Sequence, residues 1–405
     1  MFKSLLHTIF HRRHFWRHAT FSEIAELYAS RMLRMSAIHI IGAFMSIYLF
    51  QLGYSVMEIA FFWAAFYFFK VFAALPVAAF VGWIGPKHSI LISNLLYIPS
   101  MILFAMLPAF GPWLLLPILL LQGTSASMYS IAYSINFSKV KSTEHAGKEI
   151  GYMNIIEKLT AGLSPLIGGF LAFIAGPQVV IIISAILFAL SAVPLMRTGE
   201  QVNTRIKLKF RGFPWRLLLR HSLAQVSYGF DVFASGTVWT LYTAVVVIGI
   251  SSNNEIYAAS GILLSVIFFA ALIASYTFGK IIDRRRGKEL MRAGAIANAL
   301  THFMRPFTGS TIAIAGLNAT NEVATTGYTM PYTRALFDNA DLSGARTTYL
   351  GLTDLIANFG AGVGALVLAF MVPYLGEQPT LTNFFFISAA VALLVLTARF
   401  PLYKK

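Results

Sequence analysis

The chain has 405 residues, of which 57% are hydrophobic and 12% charged, with a formal net charge of +15 and no cysteine. A soluble domain carries nearer ~25% charged residues, so this balance names lipid as the main solvent and leaves too little polar sequence for a sizeable soluble domain. The missing cysteines exclude disulfides, thiolate metal sites and cysteine nucleophiles, and the basic residues sit in short gaps between apolar runs rather than in one patch, which argues against nucleic acid as a partner.

Residues 1–30 predict a basic, amphipathic cytoplasmic segment that lies on the inner leaflet. Phe2, Leu5, Leu6, Ile9 and Phe10 are soon interrupted by His11, Arg12, Arg13, His14, Arg17 and His18, so the unbroken apolar core of a secretion signal does not form. Thr20 and Glu23 have the spacing of a capping box and predict a helix start. From Arg31 onward the apolar runs reach the length that crosses a bilayer, about 20 residues. They predict spans at 32–53, 56–81, 87–107, 112–136, 148–174 and 177–196, then 219–250, 255–279, 289–308, 310–333, 346–373 and 380–401. The seventh is overlong, and the ninth is interrupted around His302 and Pro306.

With a cytoplasmic N-terminus, the inner segments hold 28 of the 31 basic residues. These include Arg31, Arg34, Lys87, the run from Arg197 to Arg220 and the cluster from Lys280 to Arg292. Outer gaps hold only Arg305, while Lys70 and Lys158 fall within spans. So lopsided a split predicts that both termini are cytoplasmic.

A repeat recurs at a constant shift of 197 residues. Glu58-Ile59 returns as Glu255-Ile256, and Phe72-Ala73-Ala74-Leu75 as Phe269-Ala270-Ala271-Leu272. Gly82 returns as Gly279, and the intramembrane acid Glu157 as Asp354. Six spans per half is an even number, so both halves enter the membrane the same way, as parallel repeats about an axis along its normal. The expected fold is an all-α membrane protein of twelve transmembrane helices in two pseudo-symmetric six-helix bundles. The bundles are 31–197 and 219–405, joined by a cytoplasmic linker at 198–218.

After the eighth span the chain reads Gly279, three residues, Asp283-Arg284-Arg285-Arg286, Gly287 and Lys288. With one extra residue before Gly287, this resembles the loop signature of the major facilitator superfamily. The resemblance implies a cytoplasmic gate that latches the halves; a positive-inside cluster alone is the alternative. The equivalent first-half stretch, Gly82-Trp83-Ile84-Gly85-Pro86-Lys87, has lost the acid, which predicts an asymmetric latch. In the fifth span Gly151, Pro165, Gly168 and Gly169 resemble the family's antiporter signature, with Thr160 and Ser164 replacing two glycines.

Ionisable side chains near mid-bilayer are costly, by about 2.5–3.5 kcal/mol on insertion scales, and so mark functional candidates. Glu157 and Asp354 lie some eight or nine residues into their spans, about 12–14 Å deep at 1.5 Å per residue. Lys70 has a similar depth. In the family the second span packs on the eleventh, which implies a Lys70–Asp354 ion pair; Lys158 points about 100° away from Glu157 and is a poor partner for it. Glu157, Asp354 and Glu322 are the candidates for proton coupling, with purely structural pairing as the alternative. Asp231 is expected only to pair with Arg34 or another surface base.

Polar residues recur at helical spacing on the tenth span, as Asn318, Asn321, Glu322, Thr325, Tyr328 and Tyr332, and on the fourth, as Gln122, Ser125, Tyr129, Tyr133 and Asn136. Such stripes belong inside the bundle. The family lines its cavity with the first, fourth, seventh and tenth spans, which adds His39, Trp239 and Tyr242 as substrate-cavity residues; interhelical hydrogen bonding is the alternative role.

The expected function is secondary active transport of a small molecule across the cytoplasmic membrane by alternating access. A phosphate-cradling ATP loop and a His-Glu-x-x-His motif are both missing from the sequence. An ion gradient, of protons as the buried acids suggest, is therefore expected to drive a non-enzymatic carrier with no cofactor and no metal. The 35 Phe and 17 Tyr lean towards an amphipathic or hydrophobic cargo, and efflux is expected ahead of uptake. An uptake carrier for a small metabolite, or a transporter-like sensor or scaffold, stay open. A monomer embedded in membrane lipid is expected.

Overall fold

The computed structural model describes residues 21–42, 44–140, 146–196, 205–249 and 255–403. Thr20 and most of the predicted N-terminal segment, residues 198–204 of the linker and the C-terminal lysines lie outside the described residues. Those described are helical apart from residues 205–214 and short turns, and they hold no strand.

The elements in chain order are α1 (Phe21–Gly42, continued by Met45–Gln51), α2 (Val56–Ile84), α3 (Pro86–Phe110), α4 (Leu115–Val140), α5 (Ala146–Ala175) and α6 (Pro177–Ala192). The second series is α7 (Ser222–Phe233, continued to Ile248), α8 (Glu255–Ser265 and Ile267–Asp283), α9 (Gly287–Met304), α10 (Thr311–Leu342), α11 (Arg346–Leu375) and α12 (Glu377–Ala392). Local chemistry sets the boundaries. Ser55 and Glu58 form a capping box at the start of α2. Gly85 (φ +96°) ends α2, and Pro86 opens α3 directly after it; Gly176 (φ +86°) and Pro177 do the same between α5 and α6. A side chain disfavours that positive φ, while a proline at the first helical position forfeits no hydrogen bond.

Ten helices are long and apolar enough to cross a membrane, among the described residues. The exceptions are α9 and α10, because α9 opens on Lys288, Glu289 and Arg292 and α10 carries the polar stripe. The overlong seventh span shortens at its start: a short helix, Trp215–Leu219, precedes a break at Arg220 and His221, and α7 begins at Ser222. Within α7, Ala234–Val238 and Thr243–Ile248 are π-helical turns, a geometry that gathers at functional sites.

Packing repeats under a shift of six helices. In the first series α1 packs on α5 and α6, α2 on α4, and α3 on α4 and α6; in the second α7 packs on α11 and α12, α8 on α10, and α9 on α10 and α12. Across the series α2 packs on α11 and α5 on α8, which are again equivalent contacts. Glycines permit the second of these: a Cβ on Gly169 would stand 2.2 Å from the Tyr257 carbonyl oxygen, and one on Gly261 2.5 Å from that of Pro165.

The end that carries Lys87, Arg284, Lys288, Arg346 and Arg399 is termed here the basic end. Residues 205–213 cross it: Arg205 and Ile206 donate backbone N–H groups to Trp83 and Gly82 at the end of α2, and Lys209 donates to Thr348 of α11. At the opposite end one apolar core runs through both series, from Phe44, Ile59 and Phe104 to Tyr257, Leu368 and Phe385.

Candidate functional site

A cavity of about 690 Å³ occupies the basic-end half of the molecule between the two series. Side chains of α1, α4, α5, α7, α8, α10 and α11 line it. The opposite-end half is filled by the shared apolar core, so the cavity ends near mid-depth. Among the described residues four carboxylates face it: Glu157, Asp231, Glu322 and Asp354.

Each acid is held differently. Glu157 of α5 accepts from Arg31 of α1 at 2.6 Å, and the Arg31 guanidinium lies 3.7 Å over the Tyr133 ring. Glu322 of α10 pairs with Lys158 of α5 at 2.9 Å, a contact between the two series, and also accepts from Thr326 at 2.8 Å. Asp354 of α11 accepts from Ser130 of α4 at 2.8 Å and from Asn358 at 2.9 Å. Asp231 of α7 meets His302 of α9 at 2.6 Å and accepts from Tyr328 of α10. Consecutive residues on a helix point about 100° apart, which is how Glu157 and Lys158 serve different partners.

Of the residues expected to line a cavity, His39, Tyr129, Tyr133, Asn321, Glu322, Thr325 and Tyr328 do so. Gln122, Trp239, Tyr242 and Asn318 do not. They lie towards the opposite end where the series are shut: Trp239 donates to Asn318 at 2.6 Å, and Tyr242 to the Thr308 carbonyl at 3.1 Å. Asn136 is buried off the lining. The predicted Lys70–Asp354 ion pair is not formed. Hydroxyl and amide donors take the Asp354 carboxylate instead, and the Lys70 ammonium lies 5.4 Å from the Phe66 ring centroid and 5.5 Å from that of Tyr67.

Three further expectations are corrected. Arg31 is a cavity residue rather than a surface charge. Arg305 is 1% exposed and reaches into its bundle, where it donates to His302 at 2.8 Å and to Asn321 at 3.0 Å. Asp231 pairs with neither Arg34 nor a surface base. Arg34 donates instead to Ser93 and Ser125, both at 3.3 Å, with its guanidinium 3.9 Å over Tyr129. Lysine and arginine stems are long enough to carry a charge well away from its own backbone. Placing such residues by position in the chain therefore misplaces their charges.

The gate motif sits at the basic end. Asp283 faces Arg334 of α10 at 3.6 Å, and Arg286 pairs with Glu289 at 2.7 Å on the surface. Gly279 is buried, Gly287 lies against Tyr403, and Arg284, Arg285 and Lys288 are exposed. Gly82 in the equivalent stretch admits the Ile206 carbonyl, which would stand 2.4 Å from a Cβ there. Among the described residues, no cluster of histidines and acids has the makings of a metal site.

Residues 27–330 match the sequence profile of the Major Facilitator Superfamily. The chain belongs to the major facilitator superfamily. As a member of that superfamily it is an integral, multi-pass membrane protein with the fold of a secondary transporter. Solved structures with this fold cover nearly its whole length. A variant of the Escherichia coli fucose:proton symporter FucP is 16% identical with a TM-score of 0.63, covering 92% of this chain and 97% of its own. The human organic anion transporter MFSD10 is 12% identical with a TM-score of 0.68, covering 92% and 99%. A bacterial homologue of the iron transporter ferroportin, in an outward-facing state, is 16% identical with a TM-score of 0.64, covering 92% and 97%. Among curated protein sequences nothing matches.

Proposed function

We propose that this superfamily member is a proton-coupled carrier of a small amphipathic molecule, working by alternating access between bundles at 31–197 and 219–405. In this reading α9 and α10 complete twelve spans, the linker at 198–218 and both termini are cytoplasmic, and the monomer sits in the cytoplasmic membrane. The observation that carries it is the Lys158–Glu322 pair, which ties one bundle to the other at the wall of the cavity. Protonation of Glu322, or a cargo that replaces either partner, removes the reason for the two bundles to stay together at that depth. Glu157 and Asp354, at repeat-equivalent positions on the same cavity, are the other coupling acids.

The lining also shapes the cargo. Among the described lining residues Phe337 is the one phenylalanine, whereas Tyr129, Tyr133, Tyr228, Tyr328 and Tyr332 all contribute rings with hydroxyls. Many of the other phenylalanines face outward, as Phe72 (78% exposed) and Phe269 (71%) do. The aromatic content therefore speaks for lipid contact, and the charged, tyrosine-rich wall supports a cargo with a polar or charged group over a purely hydrophobic one. His39 offers a handle, since its Nε2 has no hydrogen-bond partner among the described residues. Export is the favoured direction, from the arrangement of Pro165, Gly168 and Gly169 on α5; uptake of a polar metabolite is the second reading, favoured by the charged wall.

A thermal-shift screen of the purified protein against a compound library at two pH values supplies a ligand, and counterflow of its labelled form in proteoliposomes tests the proposal. Carriage that a pH gradient accelerates, and that Glu322→Gln abolishes, is expected. A ligand that binds but is never carried would replace the carrier with a sensor.

A further inference from the structure

Inside the second bundle lies a charge network that the coupling acids named above do not include. Asp231 faces the cavity, His302 stands behind it, and Arg305 lies beyond, in the turn Arg305–Phe307 that joins α9 to α10 at the opposite end. None of the three is more than 6% exposed. His302 Nε2 meets Asp231 Oδ1 at 2.6 Å, and Arg305 meets His302 Nδ1 at 2.8 Å. A guanidinium only donates, so Nδ1 must accept, and the imidazole is the neutral tautomer with its proton on Nε2, donated to the carboxylate. Ser235 makes a second bridge, donating to Asp231 at 3.0 Å and accepting from Arg305 at 3.2 Å. Arg305 also lies 4.6 Å over the Trp239 ring.

Every hydrogen-bond partner of Arg305 among the described residues is neutral. Among the described residues no carboxylate comes within ion-pairing distance of it, so the charge that justifies its burial is that of Asp231, relayed through His302 and Ser235. We infer that Asp231 is a proton-binding carboxylate of this carrier, and that its ionisation state decides whether Arg305 stays docked and the opposite end stays closed. The inference rests on the proton-coupled reading above and adds a site to it.

The proton step balances within the network. A proton from cavity water adds to Asp231 Oδ2; the Tyr328 hydroxyl, which donates to that oxygen when it is ionised, rotates to accept. His302 Nε2–H keeps its bond to Oδ1. The carboxylate charge is gone, and Arg305 is left as a buried cation without an anion, a strongly unfavourable state. It escapes by swinging from Trp239 towards water at the opposite end, and the turn that carries it moves with it. The groups that face Asp231 set the response: His302 from α9, Arg305 from the turn, Tyr328 from α10 and Tyr228 on its own helix. Asp354 of α11 lines the same cavity, and α12 presents the rings of Phe384 and Phe385 to this region.

The chain has no cysteine, so spin labels go only where cysteines are introduced. Trp113→Cys and Ile312→Cys put one label on each bundle at the opposite end, at residues 65% and 84% exposed. Electron-paramagnetic-resonance distances in nanodiscs are compared in mildly alkaline and mildly acidic buffer. Acid should raise the longer-distance population roughly threefold or more. Asp231→Asn should hold that population high in both buffers, whereas Glu322→Gln should keep a pH response. His302→Gln keeps a donor to Asp231 and an acceptor for Arg305 without a titrating ring. A pH response that survives in it assigns the titrating group to Asp231, and its loss assigns it to the imidazole. The thermal melting of Asp231→Asn against the parent checks its folding. If Asp231→Asn still responds to pH while Glu322→Gln or Asp354→Asn does not, proton coupling stands and this inference falls. If the parent shows no response at all, both fall.

Discussion

Lys158 lies beside Glu157 in the chain and serves a different acid, and that choice joins the two bundles. Glu157 turns to Arg31 within its own bundle, while Lys158 reaches α10. Breaking a buried pair costs more than deleting it whole, because the survivor is left as an uncompensated charge. Glu322→Gln or Lys158→Gln alone should therefore destabilise the protein by about 2 kcal/mol, below the usual range for fully buried pairs because Lys158 is 25% exposed, and the double variant should recover at least half of that. Chemical unfolding in detergent checks this; strictly additive losses would mean the two charges do not act as a pair. At this scale the sequence displayed Lys70, Glu157, Lys158, Glu322 and Asp354 as charges within spans, since so few are. It did not display their partners. A partner depends on how each helix is rotated, and the reach of arginine concealed Arg31 and Arg305 among the flanking charges.

Helix starts were more legible than helix ends. The expected starts at 56, 177, 255 and 346 match α2, α6, α8 and α11, because glycine, proline and capping residues act locally, whereas the expected ends at 333 and 401 miss those of α10 and α12. The Ser55 hydroxyl accepts from the Glu58 backbone and the Glu58 carboxylate from that of Ser55, so Ser55→Ala should cost about 1 kcal/mol in thermal unfolding. The π-helical turns of α7 left no mark in the composition, since a widened turn answers to tertiary packing rather than to propensity. Contact between α5 and α8 belongs to this scale too. Gly169→Leu drives a side chain against the Tyr257 carbonyl and should cost about 1–3 kcal/mol as an overpacked interface, with transport lost more severely than fold. Unchanged counterflow in that variant would mean the bundles do not move on each other along this seam.

Taken as a whole, the molecule carries its duplication into its environments. Phe72 and Phe269 both face outward, Glu58 and Glu255 both stand exposed at the head of a helix, and Glu157 and Asp354 both line the cavity. The same shift sets Arg34 opposite Asp231, so one bundle is organised around a buried cation and the other around a buried anion. The repeat was readable because lipid imposes the same demands on both halves. The cavity was only partly readable, because it depends on which half of each helix is shut in the state adopted. The most direct test of alternating access places one cysteine at mid-depth, Thr325→Cys, in this cysteine-free chain and applies a membrane-impermeant maleimide to vesicles of each orientation. Labelling is expected from the basic-end face in the parent, and from both faces once Glu322→Gln breaks the tie between the bundles. Labelling from one face alone in both proteins would contradict alternating access governed by that pair.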